Sequence, residues 1–234
     1  MNILAVGAHA DDIEAKCAGT LLKYKKMGHN IFEVLTTTGN IGSNSVKTRG
    51  EIAKIRKKEQ IEAAKVIGAE TLFLPFDDEI LVDTPQTRKA FLDALRWAQP
   101  DIIFTHDPSD PSPDHWMSSR ILTSVVLCLG SKLIPSERPP VDKSPSIFFW
   151  DNGAGVNFVP EVYVDISDFM DMKIDSISKH ESQLEWMRNF MKDDLFETFR
   201  VISRFRGIQA GCKYAECFRA FRLRGRMPDF KLLP

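Results

Sequence analysis

The chain is expected to fold as an α/β protein: a Rossmann-like, mainly parallel sheet flanked by helices, one domain over residues 1–234 with a C-terminal elaboration. Three observations predict this. Short apolar runs alternate with longer helical patterns through the first half, the rhythm of βαβ units that give parallel strands. Those runs stay apolar instead of alternating with polar residues, as strands covered on both faces do. No internal repeat, low-complexity tract or linker interrupts the 234 residues, a length ample for one large core.

The elements follow in order. Residues 3–6 read as a buried strand that breaks at Gly7, and a helical pattern runs from Ile13 to Gly28, a stop at C′. Residues 31–37 form a β-branched strand, and the glycine-bearing loop 39–44 leads into a long helix ending near Gly68. On that helix Ile52, Ile55, Ile61, Ala64 and Ile67 recur at helical spacing. Residues 71–74 make a third strand closed by Pro75, residues 87–98 a helix and residues 101–105 a fourth strand. A helical pattern begins at Trp116, and residues 121–129 are a further buried helix. The prolines between 135 and 145 mark a loop. Strands at 147–150 and 162–166 precede helices over about 169–187 and 194–204.

Composition narrows the function classes. Hydrophobic content of 43% and charged content of 27% are those of an ordinary globular protein, and the net charge of -1 gives no bulk attraction to nucleic acid or an anionic membrane. The local basic stretch Arg219, Arg222, Arg224 and Arg226 reads as a solvated face or a subunit contact. No apolar run reaches the ~20 residues of a membrane span, and no secretory leader is evident at the N-terminus. Cys17, Cys128, Cys212 and Cys217 are scattered without a CxxC pair. They are expected to be reduced thiols of a cytoplasmic protein. Any metal must therefore be held by His and carboxylate.

The run Gly7-Ala8-His9-Ala10-Asp11-Asp12 carries the chemistry. It presents one imidazole and two carboxylates directly behind the first strand, where open parallel sheets bind their ligands. Alone, Asp12 would read as a helix N-cap and Asp11 as a complement to the helix dipole. A cap, however, does not explain His, Asp and Asp together. His106 follows the fourth strand, and loop 107–115, stiffened by three prolines, leaves the same sheet edge and ends at His115. His9, Asp12 and His115 then form a set of two His and one carboxylate, which suits catalytic zinc with an open position for water. The same set also suits ferrous iron. Asp11, beside a ligand but pointing elsewhere, is the expected general base. A nucleotide-binding role is disfavoured: the first strand-to-helix turn lacks GxGxxG and sets two negative charges where a pyrophosphate would sit.

The first motif resembles the Ala-His-Pro-Asp-Asp signature of the LmbE-like, or PIG-L, family of zinc-dependent N-acetylglucosaminide deacetylases. Pro113-Asp114-His115 is similar to that family's second metal motif. Thr48-Arg49 through Arg56 and Glu59, with Ala63-Ala64 and Ile67-Gly68, resembles its second helix. Val164 to Asp168 with Lys173, His180, Ser182 and Gln183, and then Lys213 to Phe218, resemble its C-terminal segments. The resemblance implies zinc on His9, Asp12 and His115, Asp11 as base, and Arg56 near the substrate. It implies an N-acetylated amino-sugar conjugate as the small-molecule partner and a homo-oligomer, trimeric or hexameric.

Two departures stand out. Ala10 replaces the signature proline. Ser112 occupies the position where many members carry a His that stabilises the oxyanion or protonates the leaving amine. A serine hydroxyl can donate a hydrogen bond but carries no charge near neutral pH, and loss of one oxyanion donor costs about 100- to 1,000-fold. His106 and His180 are the candidates to compensate at the substrate. The alternatives are a metal-binding family member of weak or lost catalysis acting as a binding protein, or a deacylase for a non-sugar amide. Choice of aglycone is expected to reside in loops 39–47, 76–86 and 135–160. Phe148, Phe149 and Trp150 are expected in core or subunit packing.

Overall fold

The computed structural model of the protein describes residues 1–190, 192 and 194–222. Strand β1 (Asn2–Gly7) pairs in parallel with β2 (Asn30–Thr37) on one side and β4 (Ile102–Thr105) on the other. Strand β3 (Ala69–Phe76) extends the sheet beyond β2, and β5 (Ser146–Trp150) extends it beyond β4, both in parallel. Beyond β5 the sheet turns antiparallel: β7 (Ala215–Ala220) inserts between β5 and β6 (Val162–Asp165). The order is β3-β2-β1-β4-β5-β7-β6, the mainly parallel sheet that the apolar strand runs predict.

Both faces are covered, and β1 shows how. Leu4 and Val6 point into one apolar layer with Phe91 and Leu95 of α3 (Pro85–Ala98) and Ile121 and Leu122 of α4 (Pro113–Val126). Ile3 and Ala5 point into the other, with Ile13, Cys17 and Leu21 of α1 (Asp12–Lys26), Ile67 of α2 (Arg49–Ile67) and Met170 of α5 (Met170–Ile177). Period-two alternation in a strand thus feeds two apolar layers, so no position along it needs to be polar. Phe148, Phe149 and Trp150 lie in these layers as core residues.

The C-terminal third differs most from expectation. Strand β7 is not among the strands read from the sequence, because its hexamer Ala-Glu-Cys-Phe-Arg-Ala carries two charges whose partners lie far away in the chain. The helix expected over 169–187 is two helices, α5 and α6 (Glu181–Phe190). The break has a polar cause: Ser182 turns its N–H and hydroxyl to the Glu59 carboxylate of α2, at 2.8 and 2.6 Å. Helix α4 begins at Pro113, so His115 sits in its first turn, and α7 (Leu195–Ala210) runs to a left-handed Gly211. Arg219 pairs with Asp107 and Arg222 with Glu161; Arg224 and Arg226 lie outside the described residues. No disulfide joins the cysteines. Among the described residues no helix is long and apolar enough to cross a membrane.

Candidate metal centre

Strand order reverses at β1, whose chain continues to β2 on one side while β4 lies on the other. Ligands of open α/β sheets collect at the carboxyl ends of such a pair. His9 follows β1 there, and His106 and loop 107–115 follow β4. The turn after β1 is tight: a Cβ added at Gly7 would lie 3.1 Å from Ile13 and 3.2 Å from Asp12. Asp12 is the first residue of α1, and its carboxylate does not cap that helix. It accepts the His9 backbone N–H at 2.7 Å, folding the loop back over its own end.

The structure brings His9, Asp12 and His115 together, with one donor atom from each within 4.8 Å of the others. His9 Nδ1 and His115 Nε2 face each other at 3.2 Å. Asp12 Oδ1 lies 3.4 Å from His115 Nε2 and Oδ2 lies 3.6 Å from His9 Nδ1. Tetrahedral zinc with bonds of ~2.0–2.2 Å sets its ligands about 3.3–3.6 Å apart, so the donor set fits such an ion. The outward ring atoms are held as metal-ligating imidazoles require. His9 Nε2 lies 3.1 Å from Asp114 Oδ2, and His115 Nδ1 lies 3.0 Å from Asp110 Oδ1. Asp114 is itself fixed by the N–H groups of Glu79 and Leu81, at 2.6 and 3.3 Å.

Charge follows this geometry. Burial pulls the His9 imidazole down, but Asp114 and Asp12 outweigh it and raise its pKa to about 9. Burial alone would raise Asp12, yet the imidazoles of His115, His106 and His9 hold its carboxyl well below the usual range.

Asp11 stands apart from this set, at φ 103°, in left-handed backbone that a non-glycine residue seldom adopts. Strain of this kind costs on the order of 1–3 kcal/mol and persists where surroundings enforce it. Here Gln60 Oε1 accepts the Asp11 N–H at 3.4 Å, while Arg56 donates to the Ala10 carbonyl at 2.6 Å and lies 3.5 Å from Asp11 Oδ1. Gln60 is tied in turn to Glu14 and Glu33, at 2.8 and 3.0 Å. Burial pushes the Asp11 carboxyl up against the pull of the Arg56 charge.

The residues expected to meet substrate divide. Ser112 is half-buried at the start of α4, donates its N–H to Asp110 at 2.9 Å, and makes no capping hydrogen bond with its hydroxyl. His106 and His180 are buried, 0% and 1% exposed. His106 stacks behind His115 with ring centroids 3.9 Å apart. Two donors, Ala8 N–H at 2.9 Å and Trp150 Nε1–H at 3.2 Å, aim at its ring nitrogens, and burial lowers its pKa to about 4. His180 turns inward, 3.2 Å from Glu14. Both rings thus lie behind the surface that Ser112 shares. Arg56 is also covered: Gly39 and Gly42 lie so close that a Cβ on either would fall 2.6 or 2.5 Å from its side chain. Its guanidinium works on Asp11. Asp110 and Gln60 have no part in the sequence reading, and Asp114 enters it only as the middle of Pro113-Asp114-His115, although Asp110 and Asp114 frame Ser112 at the regular spacing Asp-x-x-x-Asp-His.

Residues 4–126 match the family described as PIG-L: GlcNAc-PI de-N-acetylase. Diacetylchitobiose deacetylase of Thermococcus kodakarensis is 28% identical over 93% of this chain and 82% of its own length. The structure of N,N'-diacetylchitobiose deacetylase from Pyrococcus horikoshii superposes with a TM-score of 0.81 at 27% identity, covering 94% of this chain and 83% of that one. A further relative, 4-oxalmesaconate hydratase of Pseudomonas putida, is 21% identical over 89% of this chain and 81% of its own.

Proposed function

The chain belongs to the PIG-L family, and from that premise we propose that it is a zinc hydrolase removing the N-acetyl group from an N-acetylglucosamine-type conjugate. One observation carries the reading. Two imidazoles and a carboxylate converge at ligand spacing, while a separate carboxylate, Asp11, is held beside them in enforced backbone. Zinc held by His9, Asp12 and His115 would supply Lewis acidity toward an amide carbonyl and acidify a water. Asp11 would act as the base toward the attacking water and as the acid toward the departing amine, roles for which a carboxyl pushed upward by burial is suited. Arg56 and Gln60 keep its carboxylate aimed. Asp110 and Asp114 keep the His115 and His9 rings in the tautomers that ligation needs.

The test is release of primary amine from a panel of N-acetylglucosaminides by zinc-loaded protein beside its Asp11→Asn variant. Turnover absent in the variant supports the reading, and equal turnover overturns the role of Asp11. Ser112 favours a second reading, water addition as in the hydratase relative, since that reaction has no leaving amine to protonate. Ser112→His separates them: amine release at least tenfold faster supports amide hydrolysis, and no change favours water addition. Cytoplasmic placement agrees with the unpaired thiols. Self-association is supported by the stripe Val201, Phe205 and Ile208, each more than half exposed along α7, and light scattering of the purified protein tests it.

A further inference from the structure

Asp11 keeps a left-handed backbone at φ 103°, and such a conformation lasts only where its surroundings over-determine it. Its direct holders, Gln60 and Arg56, are long side chains with several rotatable bonds, so each needs to be fixed in turn. Both are fixed from one place, the turn that joins α5 to α6. His180, Ser182 and Gln183 of that turn each meet a different element: α1, α2 and the loop after β2.

Two routes run from the turn to Asp11. On the first, Gln183 Nε2–H donates to the Gly42 carbonyl at 2.9 Å and holds loop 39–44 against Arg56. A Cβ at Gly42 would fall 2.5 Å from Arg56 Nη1, and one at Gly39 would fall 2.6 Å from Arg56 Cδ. The guanidinium therefore has no room to withdraw. It stays against the Ala10 carbonyl at 2.6 Å and Asp11 Oδ1 at 3.5 Å. On the second route, His180 Nε2 lies 3.2 Å from Glu14 Oε2, and Glu14 Oε1 accepts the Gln60 Nε2–H at 2.8 Å. That amide nitrogen also donates to Glu33 at 3.0 Å, which leaves Gln60 Oε1 to accept the Asp11 N–H at 3.4 Å. Ser182 locks the turn itself, with its N–H and hydroxyl on Glu59 of α2. Gln183 and His180 are buried, and neither route passes through His9, Asp12 or His115.

We infer that the α5–α6 turn is the positioning element of the base, with Gln183 and His180 as positioning residues that keep Asp11 in its left-handed conformation. The inference rests on the deacetylase reading only for the role of Asp11. Full-length, zinc-loaded protein tests it by two readouts. One is hydrogen exchange at residues 9–12, read by mass spectrometry, and the other is kcat for amine release from the N-acetylglucosaminide panel. Gln183→Met removes the donor at similar length, and His180→Phe removes the ring nitrogens at similar volume. Each breaks one route, so either alone tests the inference. Each is expected to speed exchange at residues 9–12 about tenfold and to leave residues 17–26 of α1 unchanged. The kcat should fall about 10- to 100-fold at unchanged KM and zinc content. His180→Gln, which can still donate toward Glu14, should keep most of the wild-type rate. Combined with Asp11→Asn, neither breaking substitution should lower the residual rate further, since both act through the missing carboxylate. A structural role alone would lower both backgrounds alike. Unchanged exchange at 9–12, exchange that rises along the whole of α1, a kcat that stays at the wild-type value, or equal losses in the Asp11→Asn background overturns the inference. The two readings fail separately. Local exchange that rises in a protein whose wild type releases no amine leaves the positioning element and removes the deacetylase. Amine release with unchanged exchange does the reverse.

Discussion

Helix α1 is flanked by two sets of buried charges that look alike in composition and differ in arrangement. Halfway along it, Glu216 of β7 accepts the N–H of Gly19 at 3.0 Å, the N–H and hydroxyl of Thr20 at 2.7 and 2.6 Å, and the Lys173 ammonium at 2.6 Å. Every lone pair faces a donor from the chain. At the helix start, His9 Nδ1 and His115 Nε2 face each other at 3.2 Å, with Asp12 alongside. Two nitrogen lone pairs and a carboxylate directed at one point repel one another unless a proton or a cation lies between them. The closed set fastens β7 and α5 to α1 and asks for nothing further. The convergent set is relieved by a proton or by a cation from outside the chain, and that openness separates a candidate binding centre from a scaffold.

The sharpest way to break this distinction is a pair of substitutions. Asp11→Asn is expected to lower kcat by roughly 1,000-fold, within the range of general-base catalysis. Zinc content and Tm should stay unchanged, because Asp11 is not among the converging donors. Lys173→Met should do the opposite. It leaves Glu216 buried without its counter-ion, which costs about 3–5 kcal/mol, or roughly 10 °C in Tm for a chain of this size. Turnover per folded molecule at low temperature should stay within about threefold of wild type. Differential scanning calorimetry and amine release on both variants decide it. Loss of zinc in Lys173→Met would mean that the two sets are one.

Metal removal sharpens the same comparison at smaller amplitude. An ion held at about 100 times its Kd stabilises the folded state by about 2.7 kcal/mol, so excess chelator should lower Tm by roughly 5–8 °C. In His115→Ala, chelator should shift Tm by less than about 2 °C. A shift that persists there would remove His115 from the ligand set.

How far each region could be read from the sequence follows the same division. The parallel half was legible because its strands are apolar throughout and its helices periodic. The convergence of His9, Asp12 and His115 was legible because a helix cap explains one Asp but not imidazole and carboxylates together at a strand end. The antiparallel edge was hidden for a physical reason. In Ala215–Ala220, Glu216 and Arg219 interrupt the apolar pattern, and their partners Lys173 and Asp107 lie 43 and 112 residues away in sequence. A charge made tolerable by a distant partner reads locally as a surface charge. His106 and His180 show the converse. A histidine is an attractive catalytic candidate in a sequence, and only burial shows that His106 backs His115 and His180 faces Glu14.

A third buried set lies between the two and tests the division where it is weakest. Glu33 on β2 is fully buried beside Glu14, with Gln60 and Thr71 donating to one of its oxygens and no donor on the other, Oε1. Burial, and then the Glu14 charge, push its carboxyl well above the usual range, against the hydrogen bonds from Gln60 and Thr71. The sign follows from linkage. A carboxyl whose folded pKa exceeds its unfolded value of ~4.3 gives its full stability below pH ~4.3 and loses it progressively as pH rises toward the folded pKa. Glu33→Gln keeps an acceptor for Gln60 and Thr71 and cannot ionise. It should therefore raise Tm at pH 8 by roughly 3 °C, about 1 kcal/mol, with little gain at pH 4. Thermal melts across that range decide it. A Tm lowered at pH 8 would mean that the Glu33 charge is balanced by the Gln60 network, which would place this set with the scaffold and not with the cost of holding Asp11 in place.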